Sequence, residues 1–105
     1  MAQFRVYSNP RADSKARFPL LLDVQTDLIG SLETRVVIPL SAMKASAGRP
    51  MTVLMPVLEI EGRKYAMCTP QLAGVRLADI GTEVADLAAQ RVEIIAALDL
   101  LITGF

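Results

Sequence analysis

Short apolar segments separated by turn residues are the feature that most constrains the fold of this chain. Gln3–Tyr7 alternates, with Phe4 and Val6 on one face, and this period of two predicts a half-buried strand. The dipeptide Glu61-Gly62 separates two other segments and predicts a hairpin with a tight turn. A mainly β domain follows, with predicted strands at Gln3–Tyr7, Leu20–Gln25 (Leu20, Leu22 and Val24 on one face), Arg35–Leu40, Val53–Ile60 and Arg63–Cys68.

The connections between these strands carry prolines and glycines. Ser8–Pro19 and Thr69–Val75 are predicted to be irregular, and Ser41–Gly48 to be either a short helix or a loop. Pro39 has no N–H for a strand ladder, so we expect an edge or a bulge at the end of its strand. Together these segments predict a small sheet joined by loops.

The end of the chain predicts a helix from Thr82 to about Ile102, because its apolar residues follow helical spacing. Thr82 is the expected N-cap, with Glu83 and Asp86 in the first turn, where carboxylates interact favourably with the helix dipole. After Glu93 the apolar residues are too many for one stripe against a core. The end of the helix is therefore either deeply inserted or an oligomer interface. We favour the interface, with Leu98, Leu101 and Ile102 at a homodimer contact.

Size and charge favour one protein-binding domain. A chain of 105 residues corresponds to a single domain spanning residues 1–105. Eleven basic residues balance eleven acidic ones, so no overall field attracts nucleic acid or an anionic membrane. Three cations, Arg11, Lys15 and Arg17, cluster in the first loop, which is either a solvated basic loop or a docking site for an acidic partner segment.

The residue types present leave little room for catalysis. The chain has no histidine and a single cysteine, Cys68, which excludes histidine-based nucleophilic catalysis and thiolate metal clusters. Asp23 and Asp27 need not converge across a strand and its turn, so we expect surface or turn positions and assign no general acid or base. We predict no enzyme, no cofactor and no metal. One cysteine and no visible signal peptide suit the cytoplasm, and the longest apolar stretch is too short to span a membrane.

Read in order, the segments resemble the CcdB family of toxins over essentially the whole chain. The resemblance implies an SH3-like β-barrel with a C-terminal helix, a homodimer, binding to the A subunit of DNA gyrase, and neutralisation by a CcdA-like antitoxin. It also implies that the toxin reaches promoter DNA only through the antitoxin, which then regulates transcription. The segments that carry it are QFRVY at Gln3–Tyr7, LLDVQTDLI at Leu21–Ile29, RVVIPL at Arg35–Leu40, PVLEIEG at Pro56–Gly62 and IGTEVADL at Ile80–Leu87.

The resemblance also assigns site residues. Leu28 and Ile29 match an apolar pair that contacts gyrase in the family. Asp99 stands where the family has asparagine, and the chain ends in Thr103-Gly104-Phe105 where the family ends in Trp-Gly-Ile. Threonine supplies neither the stacking area nor the indole donor of tryptophan, which is the kind of anchor that carries much binding energy.

Three functions therefore remain open. The first is a gyrase poison that uses Leu28, Ile29, Asp99, Thr103, Gly104 and Phe105. The second is a dimeric module of the same fold that keeps its antitoxin, held by Arg11, Lys15 and Arg17, but has lost gyrase or acquired another protein target. The third, a small enzyme, is the least favoured.

Overall fold

A central nine-residue strand organises the sheet of this protein, seen here in a computed structural model that describes residues 2–43 and 52–104. The elements are β1 Arg5–Ser8, β2 Leu20–Asp23, β3 Thr34–Ala42, β4 Val57–Ile60, β5 Arg63–Met67, β6 Ala73–Arg76, β7 Glu83–Asp86 and α1 Arg91–Thr103, with short 3-10 helices at Asp27–Ile29, Thr69–Gln71, Leu77–Asp79 and Ala88–Gln90. The strands follow the order β4-β5-β3-β2-β1-β7, with β6 also paired to β3, and every pairing is antiparallel. The sheet curls into a half-barrel with one C-terminal helix, as expected for an SH3-like fold of the CcdB type.

The core lies between the inner face of the sheet and α1. Alternate strand residues point inward, so Leu20 and Leu22 of β2 join Ile38 and Leu40 of β3 in one buried cluster. From the helix, Ile94 and Ala97 close this cluster and are fully buried. The predicted inward face of the second strand is confirmed, and so is that of the first, whose Phe4 and Val6 lie in the same core.

The hairpin between β4 and β5 is confirmed. Glu61 and Gly62 both have positive φ, 52° and 78°, which is the backbone of a type I′ turn. Ile60 pairs with Arg63 directly across this turn. Of the predicted segment Val53–Ile60, only Val57–Ile60 is a strand.

The expectation of an edge strand at Pro39 is wrong, because β3 has neighbours on both sides, but Pro39 does lie at an interruption, since neither register on one of these sides includes it. On one side it pairs with β2. On the other, β5 pairs with its end through Leu40 and β6 with its start through Val37. Pro39 lies where the neighbour changes, and its carbonyl accepts a hydrogen bond from the Cys68 N–H at 3.0 Å. The N–H and C=O of one strand residue point to the same side, so the N–H that Pro39 lacks would have faced Cys68 and not β2. No ladder hydrogen bond between β3 and β2 is therefore lost.

Two further predictions are corrected. Thr69–Val75 is not irregular, since it contains a 3-10 helix and the start of β6. The long helix beginning at Thr82 is wrong, because Glu83–Asp86 forms β7 and pairs with β1. Asp86 Oδ1 then accepts the Ala88 N–H at 2.9 Å, which turns the chain before α1 begins at Arg91. The predicted segment Ser41–Gly48 lies outside the described residues beyond position 43.

Candidate protein-binding surfaces

A buried ion pair joins the ends of β2 and β3. The Arg35 guanidinium and the Asp23 carboxylate are 2% and 0% exposed, and Nη2 of Arg35 lies 2.7 Å from Oδ2 of Asp23. The same guanidinium donates to the Gln25 carbonyl and to Oδ1 of Asp27, each at 3.1 Å. The expectation of a surface or turn position is therefore wrong for Asp23, which is buried in β2, and correct for Asp27, which is exposed in a 3-10 helix. Both bind one guanidinium, which is brought to them by the pairing of β2 with β3.

The electrostatics of these groups follow from their exposure. Burial raises the pKa of Asp23, while its hydrogen bonds from Arg35 and from the Gln25 N–H act in the opposite direction. Asp27 is mostly exposed, so the Arg35 hydrogen bond prevails and lowers its pKa. Burial disfavours the charged form of Arg35, but its bonds to both carboxylates outweigh this and raise its pKa. Each carboxylate is thus held by a cation, an arrangement that orders a loop.

Further hydrogen bonds extend this order along residues 25–29. The Gln25 side chain accepts the Val36 N–H at 3.1 Å and donates to the Ile29 carbonyl at 3.3 Å. Thr26 Oγ1 caps the 3-10 helix by accepting the Leu28 N–H at 3.3 Å. From the N-terminus, the Gln3 N–H donates to Asp27 Oδ1 at 3.0 Å. We call Arg35, Asp23, Gln25 and Asp27 the carboxylate–guanidinium network.

The loop held by this network carries exposed apolar side chains. Leu28 is 94% exposed, and Ile29 and Leu32 are each 47% exposed. We call these three residues the apolar tip. The resemblance to the family singled out Leu28 and Ile29 as a contact pair but not Leu32, because a lone leucine in a turn-rich segment gives no periodic signal. Single exposed apolar residues are ordinary, but several on one ordered loop mark an interaction surface.

The end of α1 forms a second surface. Leu98 and Leu101 are partly buried, with Leu98 packed against the core cluster of its own chain, whereas Ile102 is 73% exposed. Asp99 and Thr103 are exposed, and the Thr103 hydroxyl donates to the Asp99 carbonyl at 2.7 Å. Gly104 has φ of 80°, and its N–H bonds to the Leu100 carbonyl, which ends the helix. Phe105 lies outside the described residues.

The basic loop between β1 and β2 forms a third surface. Arg11, Lys15 and Arg17 are all exposed on it. Arg11 pairs with Asp13 at 3.0 Å, which lowers the pKa of Asp13, and the Arg17 guanidinium lies 5.1 Å from the ring of Phe18. The buried Asn9 side chain orders the loop by donating to the Ser14 hydroxyl and the Phe18 carbonyl and by accepting the Arg11 N–H.

An apolar cleft opens beside this basic loop on the outer face of the sheet. Its volume is about 200 Å³, and Leu21, Val37 and Pro39 contribute to its lining. These are the strand residues that alternate with the core-facing ones. Arg11 and Asp79 also line the cleft and lie 4.0 Å from each other. The first loop thus places charge next to apolar surface.

Within residues 2–43 and 52–104, no group of three or more cysteine, aspartate or glutamate side chains is arranged to hold a metal ion. Over the same part of the chain, no helix has the length and apolarity needed to cross a membrane. The surfaces with a physical interpretation are the apolar tip, the helix end and the basic loop with its cleft. These features define a small β-sheet domain with a C-terminal helix and with apolar and charged groups exposed on three surfaces.

Comparison of the chain with models of known protein families identifies its family. The model of the CcdB protein family matches residues 3–104, nearly the whole chain. The chain belongs to the CcdB family, and this membership indicates a toxin of a toxin–antitoxin system.

Proposed function

We propose that this chain is a homodimeric toxin that binds the A subunit of DNA gyrase, poisons the topoisomerase in the cytoplasm, and is neutralised by a CcdA-like antitoxin. The observation that carries the proposal is the apolar tip. Leu28 is almost fully exposed, yet the backbone around it is fixed by a buried network. An apolar side chain on an ordered backbone loses less conformational entropy on binding than one on a mobile loop, so its burial contributes efficiently to affinity.

The other two surfaces suit the remaining partners. The exposed Ile102, with Leu98 and Leu101 beside it, provides apolar area for a second copy of the chain. The cations of the basic loop and the adjacent apolar cleft suit an acidic antitoxin segment that also carries apolar side chains. As the resemblance to the family implies, promoter DNA is reached only through the antitoxin. The balanced charge of the chain agrees with this, because it produces no overall field that attracts nucleic acid.

The test is a supercoiling and DNA-cleavage assay with purified gyrase and the full chain at micromolar concentration. Accumulation of linear DNA is expected. Leu28→Ala should weaken inhibition by about 30-fold, the size of an interface hot spot of about 2 kcal/mol. Leu77→Ala is the matched control, because Leu77 is also an exposed leucine but lies on a different 3-10 helix. The proposal fails if the folded chain neither binds gyrase nor alters its products.

The helix end favours a second candidate, a CcdB-fold module that keeps its antitoxin but has lost gyrase or acquired another protein target. Thr103 offers no aromatic surface, and its hydroxyl is already bonded to the Asp99 carbonyl. The exposed Asp99 also adds a charge whose desolvation in an interface is costly. Gain of gyrase poisoning in Thr103→Trp, from a wild type that lacks it, would favour this second candidate.

A further inference from the structure

The carboxylate–guanidinium network has a geometry that goes beyond holding two strands together. Pairing of β2 with β3 requires only backbone hydrogen bonds, and the Asp23–Arg35 pair already compensates both buried charges. The guanidinium nevertheless reaches past Asp23 to the Gln25 carbonyl and the Asp27 carboxylate. Both of these acceptors belong to the segment that leads into the apolar tip.

From this geometry we propose that Arg35, acting through Asp27 and assisted by Gln25, is a positioning residue that holds Leu28 in the orientation in which the apolar tip meets its partner. The inference rests on the proposed function, since that partner is the gyrase A subunit. Arg35 suits this role because its planar fork donates in several fixed directions, which the single ammonium of lysine does not reproduce.

Several backbone groups of the tip and its flanking residues are tied, directly or through one neighbour, to the network. Gln25 donates to the Ile29 carbonyl and accepts from Val36 on β3. The Asp27 carbonyl accepts the Gly30 N–H at 3.2 Å, and the Ile29 carbonyl accepts the Leu32 N–H at 3.3 Å. Oδ1 of Asp27 also accepts the Gln3 N–H, so the start of the chain supports the tip through the same oxygen that binds Arg35. Loss of Asp27 should therefore loosen the tip rather than the sheet.

The experiment uses Asp27 because truncating Arg35 would leave Asp23 buried without its cation and could unfold the chain. Asp27→Ala leaves the Asp23–Arg35 pair intact, and Asp27→Asn keeps an oxygen that can accept from Gln3 and Arg35. Asp13→Ala is the matched control, because Asp13 is likewise exposed and paired with an arginine, at 3.0 Å, on the basic loop.

The first readout needs no partner. Hydrogen exchange of the Leu28, Gly30 and Leu32 amides should accelerate about tenfold in Asp27→Ala, while exchange in β2 and β3 stays at the wild-type rate. Asp27→Asn should restore most of the protection, and Asp13→Ala should change none of these amides. Unchanged exchange of the three amides in Asp27→Ala would overturn the proposal.

The second readout is affinity for purified gyrase A subunit in a double-mutant cycle. Asp27→Ala should weaken binding about tenfold when Leu28 is present and less than about twofold in the Leu28→Ala background. Equal weakening in both backgrounds would mean that Asp27 acts independently of Leu28, and the proposed positioning role would be wrong. If the wild type does not bind gyrase, the proposed function fails, and the exchange readout alone then decides whether the network orders the tip.

Discussion

At the scale of single residues, the most consequential group is the buried pair of Asp23 and Arg35. A buried ion pair is a weak source of stability, because desolvation of both charges offsets their attraction. Removing one partner is costly, since the other charge stays buried without compensation. The pair therefore acts less as a source of stability than as a constraint on where β2 ends and the loop to the apolar tip begins.

We predict that Asp23→Ala lowers the free energy of unfolding by about 3 kcal/mol, because the buried Arg35 guanidinium keeps only the exposed Asp27 carboxylate and the Gln25 carbonyl as partners. Urea denaturation followed by circular dichroism measures this change. The double variant Asp23→Leu/Arg35→Met, which removes both charges, should be more stable than Asp23→Ala. A single variant within about 0.5 kcal/mol of the wild type, the range of ordinary surface substitutions, would contradict the prediction.

The pKa of Asp27 gives a prediction about pH. Its pKa is lowered in the folded chain by Arg35, so between the folded and unfolded pKa values the unfolded chain binds more protons. The stabilisation is therefore present above the unfolded value of about 3.9 and is lost as the pH falls through the folded value. We expect the stability difference between wild type and Asp27→Asn to be constant near neutrality and to shrink on acidification below about pH 4. Denaturation of both proteins at several pH values measures this difference. A difference in unfolding free energy that grows on acidification would contradict the prediction.

At the scale of elements, an element was predicted correctly from sequence where the residues that determine its conformation are neighbours in the chain. The turn at Glu61-Gly62 is such a case, since its two positive φ angles depend on residue types at the turn alone. The region after Thr82 is the opposite case. Its carboxylates and apolar spacing are compatible with a helix, but Glu83 bonds to Arg5, 78 positions earlier, at 3.0 Å. Pairing with β1 overrides the local preference, and no local pattern contains that information.

The residues of the candidate site likewise fall into those that were predicted from the sequence and those that were not. Leu28 and Ile29 were placed by resemblance to a family, whereas Leu32 and the network were not predicted. Asp23 looked like a turn residue because its counterion, Arg35, lies on the next strand and meets it only after β2 and β3 have paired. The burial of a charged residue depends on such a partner, so it could not be derived from the DVQTD segment alone.

The contact between the ends of β1 and β7 gives a prediction about a glycine. A Cβ added at Gly81 would lie against the Ser8 hydroxyl and 2.8 Å from the Ser8 carbonyl oxygen, closer than packing allows. Gly81→Ala should therefore destabilise the chain by about 1–3 kcal/mol, because backbone must shift to relieve the overlap. Gly74→Ala is the control, since its Cβ would meet nothing within 4 Å. Thermal denaturation of both variants decides, and equal melting temperatures would contradict the close approach.

At the scale of the whole molecule, α1 is apolar on more sides than the core can cover. Ile94 and Ala97 face the sheet, while Val92 and Ile102 stay exposed near opposite ends of the helix. If the end of α1 is the dimer contact, Ile102→Asp should shift the chain to monomer, because a charge would have to be buried without a partner. Val92→Asp is the matched control, at 76% exposure against 73%. Light scattering after size-exclusion chromatography measures the molar mass of both variants. A dimer that persists in Ile102→Asp would place the dimer contact elsewhere.

The apolar tip and the basic loop lie on different connections of the sheet, before and after β2, so binding to gyrase and to antitoxin should be separable. The triple variant Arg11→Glu/Lys15→Glu/Arg17→Glu should weaken antitoxin binding and flatten its salt dependence, because exposed charge pairs are screened by salt. Its affinity for gyrase should be unchanged, whereas Leu28→Ala should weaken gyrase binding more than antitoxin binding. The control, Arg63→Glu/Lys64→Glu/Arg91→Glu, changes the net charge equally at exposed positions that do not line the cleft. Calorimetric titrations with each purified partner at two salt concentrations measure both affinities. If the control triple weakens antitoxin binding as much as the loop triple does, the attraction comes from overall charge and the basic loop is not the antitoxin site.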